Sequence, residues 1–479
     1  MTYVTSVRPS RIDLHAITLM LLALLLPTWG CGDGAMPVGE GVQARIHPSA
    51  EQPRYWQMGD EPVMLLGGSR EDNLFQIDDV EDHLDLLESA GGNYVRNTMS
   101  SRDSGDVWPF ARLESGLYDL ERPSEGYFDR LSHLLKAAHE RGVVVQIELW
   151  DRFDYAREPW LANPFRPANN INYTIEESGL RNEYPAHPGS NDNPFFRTVP
   201  GENDHALILR YQRAHVDRIL DLTLPYPNVL YTMDNETNGI ESWGAYWARY
   251  IQEAADRAGV DVYTTEMWDA WDLRDEQHRR TLDHPDLYAF ADVSQNNHNT
   301  GQEHWDNLQW VRSYIEADPR PLNTVKTYGA DGGPYGSSRD GTERFWRNVV
   351  GGAASARFHR PPSGLGLSPL AQAHLTSARL FVDAFDLFRA QPDVDHVRLT
   401  DRNANEAYLS HIPGDQSAVY FTDGGSVGLD LSGETGTYAV RWLDVEGRRW
   451  QPANDVEAGG VIRLDAPPDG HWVALLERL

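Results

Sequence analysis

The chain is 479 residues long, with 42 basic and 72 acidic side chains and a formal charge of −30. This is too long for one ordinary domain and fits two plus an export segment. So negative a chain repels polyanions, which argues against nucleic acid as a partner, and the single cysteine, Cys31, excludes a disulfide within the chain.

The N-terminus reads as an export signal. Arg8 and Arg11 precede an apolar run from Ala16 to Leu26, the length of a signal-peptide core and too short to span a bilayer as a helix. The run ends at Gly30-Cys31, which resembles a bacterial lipoprotein processing site, although Thr28 and Trp29 fit its small-residue pattern poorly. The expectation is a signal peptide over 1–31, a linker over 32–55, and a periplasmic or cell-surface protein whose one link to a membrane is a lipid on Cys31.

From about residue 60, short apolar runs alternate with amphipathic helical patterns. Strands are predicted at Pro62–Leu66, Asn93–Arg96, Val143–Leu149, Val229–Tyr231, Val262–Thr264, Leu287–Phe290, Leu322–Val325 and Gly351–Phe358. Phe128, Leu131, Leu134, Leu135 and Ala138 mark one of the intervening helices by their period, and Gly142 closes it. This alternation predicts a (β/α)8 TIM barrel over 56–392. A doubly wound sheet is the alternative, but Gly67-Gly68-Ser69 lacks the spacing of a phosphate-binding turn.

Between the third strand and a helix near His205 lie roughly fifty residues rich in Pro, Asn and aromatics, a length that points to a functional loop over the C-terminal face of the barrel. After a helix from about Ser368 to Ala390 the texture becomes short alternating strands broken by Gly and Asp. Residues 393–479 therefore read as a small all-β sandwich.

Active groups of a TIM barrel sit at strand C-termini. The residues found there are Arg96 and Asn97; Trp150, Asp151 and Arg152; Asp234, Asn235 and Glu236; Glu266, Trp268 and Asp269; Asp292, Gln295, Asn296 and His298; Lys326, Tyr328 and Asp331; and Arg357, His359 and Arg360. Packing alone does not require so many polar groups at one rim. Glycosidic hydrolysis needs a protonated carboxyl and normally a second carboxylate. Glu236 is the candidate proton donor, preceded by an Asn able to bond a sugar hydroxyl; a surface or helix-capping carboxylate is the alternative reading.

The segment Tyr226–Glu236 resembles strand four of the large clan of retaining TIM-barrel glycoside hydrolases. Within that clan the chain is most similar to the apiosidase-like, cellulase-related barrels, which commonly end in a β-domain labelled collagen-binding. The resemblance spans most of residues 60–479, and Asn235-Glu236 is its most specific part. It implies Glu236 as acid/base, Arg96 as the strand-two arginine and Trp150 as the strand-three aromatic. The clan's strand-seven nucleophilic glutamate is missing, because Lys326 stands at that position.

Lys326 is one of only two lysines in the chain, the other being Lys136. A lysine kept in so arginine-rich a sequence is a compact point charge that a site can specifically require. Three readings follow. Another carboxylate serves as the second group, with Glu266, Asp292 and Asp331 nearest in barrel order and Glu266 the choice; or the site binds glycan without cleaving it, as a surface lipoprotein; or Lys326 is the base of a polysaccharide lyase. A charged Lys close to Glu236 lowers its pKa, which is wrong for a general acid. Lys326, Arg96, Arg152, Arg357 and Arg360 form a cationic rim that predicts a carboxylated or sulfated plant or algal glycan, unless each arginine pairs with a local carboxylate. Asn235, Trp268, Asp292, His298 and Tyr328 complete the expected substrate contacts. His298 and His359 have no partner at ligand spacing, so neither a catalytic metal nor a cofactor is expected.

Overall fold

The computed structural model describes residues 44–479; the expected signal peptide, Cys31 and the start of the linker lie outside them. Eight parallel strands form the barrel: β1 (Leu65–Gly68), β2 (Tyr94–Thr98), β3 (Val144–Asp151), β4 (Val229–Asn235), β5 (Thr264–Thr265), β6 (Ala291–Asp292), β7 (Leu322–Asn323) and β8 (Ser355–Phe358). The ladder runs β5-β4-β3-β2-β1-β8, and β6 pairs with β7. Two seams join these sheets. Leu322 O accepts from Ala354 N (2.8 Å) and Arg357 O from Thr327 N (2.8 Å), linking β7 to β8. Asp292 N donates to Thr265 Oγ1 (3.2 Å), linking β5 to β6.

Eight helices follow the strands in turn: α1 (Val80–Ser89), α2 (Glu125–Glu140), α3 (Ala206–Thr223), α4 (Glu241–Ala258), α5 (Glu276–Leu282), α6 (Gly301–Tyr314), α7 (Ser338–Val350) and α8 (Pro369–Ala384). Each buries one apolar stripe, as Phe128, Leu131, Leu134, Leu135 and Ala138 do on α2.

Several strands are shifted or shortened relative to the apolar runs that predict them, β7 among them, which pairs only over Leu322–Asn323. Pro62 and Val63 belong to a three-stranded antiparallel sheet (His47–Pro48, Trp56–Met58, Glu61–Val63), so β1 starts only at Leu65. Gly351 caps α7 rather than opening β8. At β5 and β6 the apolar residues Tyr263 and Leu287–Phe290 pack into the core just ahead of the ladder. Burial, not pairing, accounts for their apolar character.

The lumen is polar. Gln146 Nε2 donates to Thr232 Oγ1 (2.8 Å), and Asn323 Nδ2 donates to Tyr94 Oη and Gln146 Oε1 (3.1 Å each). Trp56 plugs the N-terminal end, its indole N–H reaching Asn323 Oδ1 (2.8 Å). Such a layer specifies register, because any slip leaves buried polar groups unpaired.

The long loop after β3 contains two short helices, Arg157–Ala162 and Ile175–Ser178, and a Thr174/Glu177 capping box. Its aromatic residues extend the barrel's core outward. Trp160, Phe165, Tyr173, Phe195 and Phe196 are buried, and Tyr155 stacks on Phe195 at 4.3 Å.

The C-terminal region is a seven-stranded antiparallel sheet covered by a three-stranded one (Leu399–Thr400, Gly425–Asp430, Val461–Ala466). Strand alternation sends Ala407, Leu409, Val419, Phe421, Ala474 and Leu476 into the core between the two sheets. The opposite set, Tyr408, Ile412, Ala418, Tyr420, Val473 and Leu475, joins the barrel's own core, where Trp346 of α7 stacks on Tyr420 (5.6 Å, 18°). The strands Ala407–Ile412, Gln416–Phe421 and Trp472–Arg478 are thus buried on both faces and read as nearly continuous apolar runs.

Candidate active site

β4 ends in Asn235-Glu236, and Glu236 has φ +49°, a left-handed conformation that costs a non-glycine residue about 1–3 kcal/mol. The turn lets both neighbouring side chains reach the same cluster. Asn235 Oδ1 accepts from Arg96 Nη2 (2.9 Å) and from the Lys326 ammonium, and Glu236 Oε1 accepts from Lys326 Nζ (2.6 Å) and Tyr328 Oη (2.8 Å). Lys326 is 1% exposed and the Glu236 side chain 19%, so the carboxylate is the part of the pair that faces outward.

Beneath this pair lies Arg96, fully buried, bonded through Nε and Nη2 to both oxygens of Glu148 (2.6 Å each) and paired also with Asp72. Asp72 is shared with Arg360 Nε (2.9 Å) and with His359 Nδ1 (3.4 Å). Asp72, Glu148 and Glu236 thus face Arg96, Lys326 and Arg360, and Arg360 also meets Glu71 (3.1 Å) and Asp103 (3.5 Å), so each of these cations has a carboxylate partner.

Burial alone would raise the Glu236 carboxyl. The Lys326 charge, with hydrogen bonds from Lys326 and Tyr328, outweighs burial and holds Glu236 well below the usual carboxylate range. Asp269, just beyond β5, moves the other way. Burial and then the Glu236 charge raise it to about 6, against opposing effects of Lys326 and Arg152. Burial pushes His298 down to about 4 and His359 to about 3, so both rings are neutral at pH 7.

An aromatic wall stands beside Glu236. His298 stacks on Trp271 (4.2 Å, 11°) and touches Tyr328 (4.5 Å) and Tyr335 (5.0 Å). Trp271 is 56% exposed.

Several expected site residues lie elsewhere. Glu266 is 1% exposed and points behind β4, where its Oε1 accepts from the N–H of Asp234 (2.8 Å) and Met267 (3.0 Å). A Cβ on Gly244 of α4 would collide with its Oε2. Glu266 therefore fastens β4 to β5 and cannot reach a sugar. Trp150 packs against Phe195, His215, Trp243 and Trp247, the last two on α4. Trp268 donates its indole N–H to Thr281 of α5 (2.8 Å). Both rings face helices, and neither is a platform for a sugar. Asp292 lies low in the lumen, its Oδ1 accepting from Ser294 N (2.9 Å), and burial raises it to about 6. Arg357 is fully buried, donating to Val325 O (2.5 Å) and Ser69.

The cationic clamp is corrected in the same way. Arg96 and Arg360 are held by carboxylates, Arg357 is buried, and Arg152 is buried over the Phe196 ring (4.1 Å) with Asn191 as its hydrogen-bond partner. Of the expected contacts, Arg96, Asn235, His298, Lys326 and Tyr328 do converge around Glu236. Asp72, Glu148, Trp271 and Tyr335 were not expected. Trp271 alone left a signal, a second tryptophan shortly after β5 in Trp268-Asp269-Ala270-Trp271.

Away from the barrel mouth, His374, Glu446 and His471 bring ligand-type atoms within 4.8 Å of one another. Trp346 Nε1 donates to His374 Nδ1 (2.9 Å), which places the proton of the neutral ring on Nε2 and leaves that nitrogen no lone pair for a cation.

No family model and no curated protein sequence matches the chain. Solved structures do. A glycoside hydrolase family 5 protein from Bacteroides vulgatus superposes with a TM-score of 0.61 at 13% identity, covering 91% of this chain and 93% of that one. A second structure, described as a glycoside hydrolase, gives 0.61 at 12% identity over 91% and 97%. The chain has the fold of the glycoside hydrolase barrels. Identity this low shows the fold alone.

Proposed function

We propose that the protein is a glycoside hydrolase in which Asp269 donates the proton to the leaving oxygen and Glu236 acts as the carboxylate. The observation that carries this reading is the place of Asp269 against the turn that follows Glu236, together with the opposite displacement of the two carboxyl groups. The Asp269 N–H donates to Thr237 O (2.9 Å), and its Oδ2 meets Asn238 Nδ2 (3.5 Å). Glu236 is held ionised by Lys326, and Asp269 is kept protonated up to about pH 6 by burial and by Glu236. Glu236 was expected to be the donor. Its ion pair fits it instead to serve as nucleophile or base, a role the clan gives to a strand-seven glutamate and this chain cannot fill from Lys326.

The arginines near the mouth are occupied by internal partners and the exposed wall is aromatic, which supports a neutral glycan over a carboxylated or sulfated one. Elimination has less support. Lys326 is committed to an ion pair, and burial with the Glu236 charge raises the Tyr328 hydroxyl well above its ordinary value, so neither is a ready base. The apiosidase-like resemblance rests on Asn235-Glu236, and the signal-like residues 1–31 support an exported enzyme with a lipid at Cys31.

The test is product release from a panel of neutral and anionic glycans by the wild type, Glu236→Gln and Asp269→Asn. Loss of turnover in both variants supports the pair. Turnover that survives Glu236→Gln rejects it, and binding without turnover in the wild type replaces hydrolysis with glycan recognition.

A further inference from the structure

The connection after β2 makes a hairpin, Phe110–Arg112 with Tyr118–Pro123, and the loop after β3 lays its helix Arg157–Ala162 beside it. Both connections leave C-terminal strand ends, so the groove between them lies on the same barrel face as Glu236. Its volume is about 530 Å³, inside the roughly 300–1,000 Å³ of small-ligand sites. Trp108 lines it with a part-exposed ring, Tyr118 carries the Arg112 guanidinium over its ring (5.9 Å), and Leu161 on the far side is 45% exposed. The hairpin therefore leaves apolar surface open that it could have folded away.

Asp106 stands at the groove's inner end. Its Oδ2 accepts from Asn73 Nδ2 (2.6 Å) and Asp103 N (2.9 Å), and among the described residues Oδ1 has no bond of its own. Asp103 in turn meets Arg360 (3.5 Å), which joins Asp72 and so Arg96 beside Asn235-Glu236. A polar path connects the groove to the reacting centre.

We infer that this groove is a distal carbohydrate subsite that takes further units of a neutral glycan chain, with Trp108 as the stacking face and Asp106 as the hydroxyl partner. The inference rests on the glycoside hydrolase reading. A flat ring with a carboxyl oxygen beside it matches the apolar face and equatorial hydroxyls of a pyranose, and the groove's one arginine, Arg112, is engaged over Tyr118, which suits a neutral chain.

The test compares wild type, Trp108→Ala and Leu161→Arg on short and long members of cello-, manno- and xylo-oligosaccharide ladders. Leu161 is exposed, so its arginine blocks the groove without disturbing the core. The ratio of kcat/KM for long over short substrates is expected to fall about tenfold in both variants. An unchanged ratio overturns the subsite and leaves hydrolysis standing. Calorimetric titration with the long oligosaccharides reads the groove independently of turnover. Equal affinity in all three proteins overturns the subsite, whereas a wild type that binds but cleaves nothing overturns only the hydrolytic reading.

Discussion

The Lys326 ammonium lies 2.6 Å from Oε1 of Glu236, and the lysine is almost wholly buried while the carboxylate is not. The lysine is therefore a fixed counter-charge, reached by substrate only through the glutamate. It converts the residue expected to donate a proton into one that carries negative charge.

Replacing Lys326 with Met removes the largest effect that opposes burial and leaves only the Tyr328 hydrogen bond and the Arg96 charge to hold Glu236 down, so its pKa rises. The acid limb of the pH–rate profile is expected to move upward, and unfolding at neutral pH to become easier by about 3–5 kcal/mol, the usual cost of breaking a buried pair. The sign follows from linkage. The wild-type pair stabilises the fold above the ordinary glutamate pKa and is lost only as pH falls through the depressed value; in the variant, acid neutralises an unpaired charge, so the deficit shrinks as pH falls. Chemical denaturation at several pH values checks this, and a deficit that grows toward acid contradicts it.

Asp269 is the group that must be protonated, so activity should decline as pH rises through about 6. Asp269→Asn removes that limb. It should cost roughly 100-fold or more on glycosides with poor leaving groups and far less on activated aryl glycosides, which leave without a proton. Equal losses on both substrate types would assign Asp269 a different role.

Gly244 is required by Glu266. An alanine there presses its methyl against the buried carboxyl that accepts from Asp234 N, and the end of β4 must shift. Gly244→Ala is expected to destabilise by about 1–3 kcal/mol and to lower kcat through misplacement of Glu236. Glu266→Gln keeps an acceptor for Asp234 N and removes an ionisation that burial, together with the Asp234 charge, pushes well above the ordinary value. A raised carboxyl stabilises below its unfolded pKa and loses that contribution as pH rises through the folded one, so the melting temperature of Glu266→Gln should exceed that of the wild type most at high pH. Melting curves at pH 5 and pH 8 decide the point.

The barrel was legible because its strands are apolar runs bounded by turn residues and separated by helical periods, and Glu236 because Asn-Glu after the fourth strand is a specific pair. What failed was side-chain direction at strand ends. Glu266 and Asp269 follow the same strand, yet one enters the packing behind α4 and the other remains at the mouth. Trp268 and Trp271 divide in the same way between α5 and solvent. The pairing of Arg96 with Asp72 and Glu148 was also invisible, since it is made across strands and no local spacing encodes it. Sequence order names the residues near a barrel mouth; twist and register decide which of them face it.

Trp271 tests that distinction directly. It is over half exposed and lies flat against His298, which burial keeps neutral and which touches Tyr328, a hydrogen-bond donor to Glu236. An indole held this way offers a free face next to the reacting carboxylate, and its removal leaves no core cavity. Trp271→Ala should therefore leave the melting temperature nearly unchanged while raising KM, by roughly 3- to 10-fold for a stacking contact of about 0.5–1.5 kcal/mol. Trp268→Ala is the contrasting variant, because that ring is buried against α5 and its loss should cost about 3–5 kcal/mol of stability. If both variants lose stability alike and KM stays constant in the folded fraction, Trp271 is packing and the aromatic wall does not bind sugar.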